Sequence, residues 1–148
     1  MKKFEWDQIS QFKGPEESPG FLLWQVTMKW RRLLEAALNG IGLTHPQFVL
    51  LASLGWLNQR ELVSQIELAR HCKMDVAMTS QILRTLEKKR FIVRELKEGN
   101  ERSKFPVVTE MGAKMIAEAI PLVEALDRQF FEKLEATQCV EIFRKLLS

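Results

Sequence analysis

The sequence predicts a mainly α-helical fold with one small β-hairpin, and two patterns support this prediction. Long segments before residue 60 and after residue 109 repeat apolar residues at intervals of three and four, the spacing of one helical face. Between residues 91 and 108, an aromatic and β-branched run, a Gly-Asn pair and a second apolar run follow one another, which is typical of two paired strands.

The composition indicates one domain with its own core. The chain has 148 residues, of which 46% are hydrophobic. No apolar run approaches the ~20 residues of a membrane span. The amino-terminal segment MKKFEWDQISQF lacks the apolar stretch of a signal peptide. With two isolated cysteines the sequence predicts no disulfide framework, so we expect a cytoplasmic protein.

Residues 1–17 mix aromatic and charged side chains and are expected to form an N-terminal arm that packs on another surface, for which a partner subunit is one candidate. Ser18 followed by Pro19 is a strong helix start, so residues 18–42 are assigned to a dimerisation helix. One apolar stripe of this helix consists of Leu22, Val26, Trp30, Leu33 and Ala37. Further apolar residues off that stripe are Leu23, Trp24 and Leu34. The helix therefore needs a second surface, either a partner chain or its own carboxy-terminal helices.

Two capped helices are predicted next. Thr44 and Gln47 have the spacing of a capping box. The helix that they begin is expected to bury Phe48, Leu51 and Leu54. Ser64 is expected to cap a third helix, with an apolar side formed by Ile66, Leu68 and Ala69. The extended pair Leu62 and Val63 is a candidate third strand of the hairpin.

A fourth helix is predicted from Val76 to Lys89, because the Asp75 carboxylate suits an N-cap. Its apolar face consists of Ile82, Leu83 and Leu86. Its opposite face is polar, then basic, and carries Ala77, Ser80, Gln81, Arg84, Thr85 and Lys88. Short side chains allow close approach, and glutamine and arginine make paired hydrogen bonds to base edges, so this face suits the major groove of DNA.

Positive charge is concentrated around this helix. Residues 65–104 contain 10 lysines and arginines against 6 acidic residues, a net charge of +4, whereas the rest of the chain has −1. This distribution favours double-stranded DNA as a partner, and the alternative is the solvated basic side of an ordinary amphipathic helix. The residues predicted to contact bases are Ser80, Gln81, Arg84, Thr85 and Lys88. The cations predicted to contact the DNA backbone are Lys73, Arg94, Arg102 and Lys104.

The hairpin is predicted to form a wing. Its first strand runs from Phe91 to Leu96, a turn follows at Gly99-Asn100, and a second, shorter strand covers residues 105–108. A two-stranded ribbon directly after a DNA-reading helix defines a winged helix-turn-helix. Residues 43–109 are therefore assigned to a DNA-binding lobe.

Thr109 is predicted to begin a long helix, and a last helix is predicted for residues 137–147. The long helix repeats apolar residues at Ile116, Ile120, Val123, Leu126, Phe130 and Leu134. Pro121 within it predicts a kink or a break. The wide apolar faces of residues 110–148 favour dimerisation, with packing inside one chain as the alternative. The expected interface residues are Leu22, Val26, Leu126, Phe130, Val140, Phe143 and Leu146.

Several motifs together resemble one family. LTHPQFVLLASL, IELARHCKMDVAMTSQILRTLEKKRFIVREL, NERSK and the VT before EMGAKM are similar, in order and spacing, to the MarR family of winged helix-turn-helix transcriptional regulators. The resemblance covers about Ser18 to Leu147. It implies a bacterial homodimer that binds a pseudo-palindromic operator as a repressor and is released by a small molecule or an oxidant.

Two positions depart from the family pattern. Asn100-Glu101-Arg102 stands where the family has Asp-x-Arg at the wing tip, and Arg90 stands where a glycine usually follows the recognition helix. Arg90 must take a left-handed conformation or end the helix differently. These departures leave a second function open, a winged-helix protein-interaction module without specific DNA binding.

The resemblance also implies an effector site between the dimerisation helices and the DNA-binding lobe. Trp24, Met28 and Trp56 are candidates to line a cavity for a small aromatic effector, and the alternative is that they belong to the core. Cys72 is either an oxidant sensor or a small core residue, and a sensing role for Cys139 is left open. With two histidines and no nucleophile, metal or phosphate-loop spacing, we expect no enzyme, no metal and no cofactor.

Overall fold

The computed structural model describes residues 5–148, with all of their side chains except that of Glu101. The first four residues of the expected arm lie outside this part. The helices are α1 (Trp6–Ile9), α2 (Pro19–Asn39), α3 (His45–Asn58), α4 (Gln65–His71), α5 (Val76–Lys88), α6 (Glu110–Phe130) and α7 (Ala136–Leu147). The strands are β1 (Ile92–Lys97) and β2 (Asn100–Val108), and a short 3-10 helix covers Pro15–Glu17. The chain forms two compact units, one that ends at Leu33 and one that spans Leu34–Ser148.

The first unit contains the arm and most of α2. The Trp6 indole N–H donates to the carbonyl of Phe12 at 2.9 Å, which closes the arm on itself. Ser18 precedes α2 as expected, and its hydroxyl accepts from the backbone N–H of Phe21 at 3.4 Å. The apolar side chains of α2 in this unit are mostly exposed, at Phe21, Leu22, Leu23, Trp24, Val26 and Leu33.

Most of the stripe predicted for α2 is exposed in the single chain, and other residues of the helix are buried. Leu34 and Leu38, near the end of the helix, are fully buried, whereas Leu22, Val26 and Leu33 of the stripe are exposed. The helix has apolar residues on more than one side, so periodicity alone does not select the side that packs within the chain.

The core of the second unit is made mainly of leucine, and α3 contacts α4, α5, α6 and β2. Its fully buried side chains include Leu34, Leu38, Leu43, Leu50, Leu51, Leu54, Leu68, Leu83, Leu86 and Ile92. Burying one such side chain contributes about 1.5–3 kcal/mol. Leu51 and Leu54 confirm the predicted face of α3, but Phe48 is only half-buried and Leu50 takes the central place. On α4, Leu68 and Ala69 are buried and Ile66 is exposed.

The hairpin is longer than predicted on its second strand. β2 begins at Asn100 and pairs antiparallel with β1, in a register that runs from Ile92 opposite Val108 to Leu96 opposite Lys104. The sheet of the described chain has two strands, so Leu62 and Val63 add no third strand. The polar run that starts β2, residues 100–104, lacks β-branched residues; its ends Asn100 and Lys104 pair with Lys97 and Leu96, and the register shifts between these two pairs.

Helix α6 begins as expected at Thr109, whose hydroxyl accepts from the Gly112 N–H at 3.0 Å and donates to the Arg90 carbonyl at 2.7 Å. A Cβ at Gly112 would overlap the carbonyl oxygen of Phe91, so the start of α6 packs directly on the chain that leaves α5.

Pro121 does not break α6, which is continuous to Phe130. The carbonyl that loses its amide partner belongs to exposed residue 117, where water can bind it.

The last two helices meet through aromatic rings. Leu134 lies beyond the end of α6, between the helices, and is exposed. The ring of Phe131 contacts those of Phe130 and Phe143 edge to face, at centroid distances of 5.0 and 6.3 Å. No residue of α7 is buried in the single chain.

Candidate nucleic-acid interface

Local hydrogen bonds set the start of α4. Ser64 and Glu67 form a capping box, with the Glu67 N–H donating to the Ser64 hydroxyl at 3.2 Å and the Ser64 N–H donating to the Glu67 carboxylate at 2.7 Å. Hydrogen bonds from Ser64 to its carboxylate lower the pKa of the Glu67 carboxyl. The bond from the Ser64 backbone is the larger cause, and the bond from the Ser64 side chain is the second. The box fixes the entry of the chain into α4.

Both helices of the helix-turn-helix end in left-handed residues. Lys73 follows α4 with φ 52° and Arg90 follows α5 with φ 63°. Next to Arg90, the Phe91 N–H donates to the Leu86 carbonyl at 3.0 Å and the Arg90 N–H to the Glu87 carbonyl at 2.9 Å, the Schellman pattern that a glycine usually permits. Arg90 therefore takes the left-handed alternative, at a cost of roughly 1 kcal/mol.

One side of α5 is fixed to the domain. Asp75 caps the helix as predicted, accepting from the Met78 N–H at 3.0 Å. Leu83 and Leu86 are fully buried, and Thr79 is buried with its hydroxyl donating to the Asp75 carbonyl at 2.8 Å. Since this side is held, the opposite side must project from the domain.

The residues predicted to contact bases lie on or beside the projecting side. Gln81, Arg84 and Lys88 are exposed, at spacings of three and four along one face. Ser80 and Thr85 are half-buried, and the Thr85 hydroxyl donates to the Gln81 carbonyl at 3.3 Å. Gln81, Arg84 and Lys88 therefore form the free polar part of this face.

Two apolar residues at the start of α5 are absent from the predicted set. Val76 and Met78 are each 43% exposed, in the first turn of the helix. The amino-terminal residues of a recognition helix are those that enter the groove most directly. The sequence could have indicated Val76 and Met78, because both are apolar residues of α5 that lie outside the spacing of its buried face.

The carboxy-terminal end of α5 is anchored by a lysine that the sequence did not single out. Lys89 Nζ donates to the Gly42 carbonyl at 2.7 Å and to Gln47 Oε1 at 2.9 Å. Gln47 also belongs to the capping box of α3, with Thr44. Lys89 therefore holds the end of α5 against the turn that precedes α3.

The four cations predicted to contact the DNA backbone divide into two groups. Lys73, Arg102 and Lys104 are exposed. Arg94 is different, because its side chain is 17% exposed and its Nε lies 3.7 Å from a carboxylate oxygen of Glu87 on α5.

The residues predicted for a dimer interface are exposed or half-buried in the single chain. Leu22 and Val26 on α2 are exposed, as are Val140, Phe143 and Leu146 on α7. Leu126 and Phe130 are half-buried on α6. An apolar cavity of about 470 Å³ between the end of α6 and α7 is lined by Phe131, Leu134, Val140 and Phe143, among others.

A second cavity, of about 430 Å³, lies between α3, β2 and α6. Its lining residues are Ala52, Gly55, Trp56, Asn58, Gln59, Val108, Ala113, Ile116 and Ile120. Trp56 was predicted to line an effector cavity. Trp24 and Met28, predicted with it, lie on the part of α2 that belongs to the first unit.

Cys72 and Cys139 are free thiols, and both are half-buried. Burial raises the pKa of the Cys72 thiol, and a hydrogen bond with Ser53 opposes this shift. A thiol with a raised pKa is a poor nucleophile near neutral pH. Among residues 5–148, no group of histidine, cysteine and acidic side chains has the arrangement of a metal site. None of the described helices has the length and apolar character to cross a membrane.

The fold and the exposed polar face of α5, formed by Gln81, Arg84 and Lys88, define a winged helix-turn-helix DNA-binding protein. Comparisons with known proteins agree with this class. The model of the MarR family matches residues 43–104. The HTH-type transcriptional regulator YdcH of Bacillus subtilis is 43% identical over 128 residues, 86% of each chain. The chain therefore belongs to the MarR family and is a DNA-binding transcriptional regulator.

Two further relatives extend the comparison. The HTH-type transcriptional repressor Rv2887 of Mycobacterium tuberculosis is 33% identical over 127 residues, 86% of this chain and 89% of that protein. Its crystal structure with salicylic acid matches 87% of this chain and 93% of that one, with a TM-score of 0.65. CouR from Rhodococcus jostii, bound to p-coumaroyl-CoA, matches 91% of this chain and 93% of its own at 25% identity, with a TM-score of 0.81.

Proposed function

We propose that this regulator binds a two-fold operator as a homodimer, with α5 of each subunit in the major groove. The observation that carries this proposal is the division of α5 into a buried side, Leu83 and Leu86, and a free polar side, Gln81 and Arg84. A helix held on one side presents the other as a rigid surface, and glutamine and arginine have the donor geometry for adenine and guanine edges. The five base-reading residues remain those of the sequence prediction, with Gln81 and Arg84 central.

The wing is proposed to contact the DNA backbone through Arg102 and Lys104, with Lys73 as a further phosphate contact. All three cations are exposed, and the first two lie on β2. Arg94 is left out of this set because Glu87 already neutralises it. Long cations of this kind position a protein on DNA without reading sequence.

Dimerisation is proposed through α2, α6 and α7. Large apolar side chains on α7 are exposed in the single chain, and Leu146 reaches 71%. Contiguous apolar surface of this kind marks an interaction site, and a second copy of the chain would cover it. The proposed division is an arm (1–17), a dimerisation helix (18–42), a DNA-binding lobe (43–109) and carboxy-terminal dimerisation helices (110–148).

The proposed outcome is repression, relieved by a small aromatic effector. Rv2887 is named a repressor, and its structure holds salicylic acid. The 430 Å³ cavity beside Trp56 has the size of a small-molecule site and adjoins the end of β2. We place the effector there, beside Trp56. The protein is proposed to act in the bacterial cytoplasm and to have no catalytic role.

A salt series in a DNA-binding assay tests the proposal. Affinity for a selected operator and for an unrelated duplex is measured between 50 and 200 mM salt, where several phosphate contacts predict a loss of roughly 10³-fold or more. The operator should bind much more tightly than the unrelated duplex at every salt concentration. Weak binding to both duplexes, with little dependence on salt, would favour the protein-interaction module instead.

A further inference from the structure

A series of hydrogen bonds connects the end of α2 to the end of α5. In the turn that follows α2, the Leu43 N–H donates to the Leu38 carbonyl at 3.0 Å. The Gly42 N–H donates to the Asn39 carbonyl at 3.1 Å. Leu38 and Leu43 are buried, so this turn is fixed to the core. The Gly42 carbonyl accepts in turn from Nζ of Lys89, the residue that follows α5, at 2.7 Å.

The second acceptor of Lys89 is also held in place. Gln47 Oε1 accepts from Lys89 Nζ at 2.9 Å and from the Thr44 backbone N–H at 3.2 Å. The Gln47 N–H donates to the Thr44 hydroxyl at 3.3 Å, and the Gln47 side chain is buried. Hydrogen bonds from a charged donor are shorter and stronger than those between neutral groups. Lys89 therefore joins the end of α5 to two fixed points, one on each side of residue 44.

These bonds act on α5 differently from its apolar contacts. Leu83 and Leu86 bury one side of the helix, but the hydrophobic effect has no direction and permits small tilts. The 13 residues of α5 span about 20 Å. A tilt of about 10° around its carboxy-terminal end would move its first turn by roughly 3.5 Å, close to the rise of one base pair. The tilt of α5 therefore decides where its first turn meets the DNA.

We propose that Lys89 is a positioning residue, which fixes the tilt of α5 relative to the end of α2 and thereby sets the half-site spacing that the dimer accepts. In the proposed dimer α2 contacts the partner subunit, so the two α5 helices are placed relative to each other through the ends of the two α2 helices. The inference rests on the proposed homodimer and its two-fold operator, and it assigns the spacing preference to one residue.

Operators of altered spacing test this role. The selected operator and two derivatives, with one base pair added or removed at the centre, are titrated with the protein by fluorescence anisotropy. The wild type should bind the derivatives about tenfold more weakly or worse. Lys89→Met keeps the length of the side chain and removes the donor. It should bind the native spacing about fivefold more weakly and show a spacing penalty reduced about threefold or more. An equal penalty in both proteins would overturn the proposal.

The salt dependence separates positioning from a phosphate contact. Lys89→Met should leave the slope of log affinity against log salt unchanged, because the ammonium group already donates to two protein oxygens. A slope shallower by about 1 would make Lys89 a phosphate contact and overturn the proposal. Lys88→Met is the matched control, since it removes the same charge from an exposed neighbour. It should weaken binding to all three spacings by similar factors, and a reduced spacing penalty there would contradict a specific role for Lys89.

Two further variants test the geometry. Lys89→Arg keeps a long cationic donor and should restore most of the spacing penalty. Gln47→Met removes one acceptor and keeps the lysine, so it should reduce the penalty in part. The double variant with Lys89→Met should lose no more than Lys89→Met alone, because the two residues act through one contact. Circular dichroism verifies that the variants are folded. If the lysine and glutamine variants weaken all three operators equally, a destabilised domain explains the effect and the proposal is wrong.

The result is separable from the proposed regulatory function. If the wild type selects no two-fold motif, the proposed operator is wrong and the role of Lys89 is wrong with it. If the wild type prefers one spacing and Lys89→Met keeps that preference, the regulator stands and only the role of Lys89 is wrong.

Discussion

Arg94 on β1 and Glu87 on α5 form an ion pair, with 3.7 Å between Nε and Oε2, and the arginine side chain is mostly buried. The pair links the first strand of the wing to the recognition helix. A paired and largely buried arginine is a structural contact, so of the three wing cations predicted to contact the backbone, the exposed Arg102 and Lys104 on β2 remain to bind phosphate.

Arg102→Ala and Lys104→Ala are each expected to weaken binding to all duplexes by similar factors. Each should also shallow the slope of log affinity against log salt by about 1 per lost phosphate contact. Arg94→Ala is the matched control, expected to lower thermal stability and to leave the slope unchanged. Fluorescence anisotropy at four salt concentrations measures the slopes. A slope change for Arg94→Ala equal to that of Arg102→Ala would contradict the division of roles.

Charged residues at Phe143 and Leu146 are expected to give monomers. The double variant Phe143→Glu and Leu146→Glu places two carboxylates in the apolar face of α7, and loss of the second half-site should weaken operator binding on the order of 100-fold. Met111→Glu is the control, because this residue is also exposed and lies in the first turn of α6, where a carboxylate is tolerated. Sedimentation measures the mass. A monomeric wild type with full operator affinity would refute the dimer.

Met78 is expected to contact a thymine methyl group. It is exposed in the first turn of α5, on a face otherwise polar. Burying one methyl group contributes about 0.8 kcal/mol, so replacing the contacted thymine by uracil should weaken wild-type binding roughly fourfold. Met78→Ala should lose affinity and become insensitive to that replacement. An unchanged uracil effect in the variant would exclude this contact.

Glu67 is expected to contribute stability that depends on pH. Because hydrogen bonds from Ser64 lower the pKa of Glu67 in the folded protein, the stabilisation is present above the unfolded pKa and is lost as pH falls through the folded pKa. The wild type should therefore exceed Glu67→Gln in stability at pH 7 and lose that difference in acid. Ser64→Ala, which removes the cap hydroxyl, should cost about 1 kcal/mol at neutral pH. Denaturant unfolding at several pH values measures both effects, and a difference that grows in acid would contradict the pKa direction.

The features that the sequence predicted depend on residues close to one another along the chain. The helix caps at Thr44, Ser64, Asp75 and Thr109 are all present, because a cap joins residues two or three apart. The buried face of α5 follows in the same way from spacing within one helix. Membership in the family was predicted because several such local motifs occur in the right order.

Contacts between distant residues were not predictable. Lys89 with Gly42, and Asn58 with Val108, join positions 47 and 50 residues apart, and no local pattern marks them. The sequence did not decide which side of α2 packs within the chain, where Leu34 and Leu38 are buried, because that helix is apolar on more than one side. The length of β2 was missed because its first half, residues 100–104, is polar and lacks the β-branched residues typical of a strand.

Selection of bound sequences from a random DNA pool tests the central claim, that α5 reads an operator, most directly. The wild type should select a two-fold motif with half-sites about 10 base pairs apart. Arg84→Ala, with its fold verified by circular dichroism, should relax one position, a guanine, and lose about 1–3 kcal/mol per half-site. Identical motifs for the two proteins would remove Arg84 from the base-reading set, and failure of the wild type to select any two-fold motif would contradict the account itself.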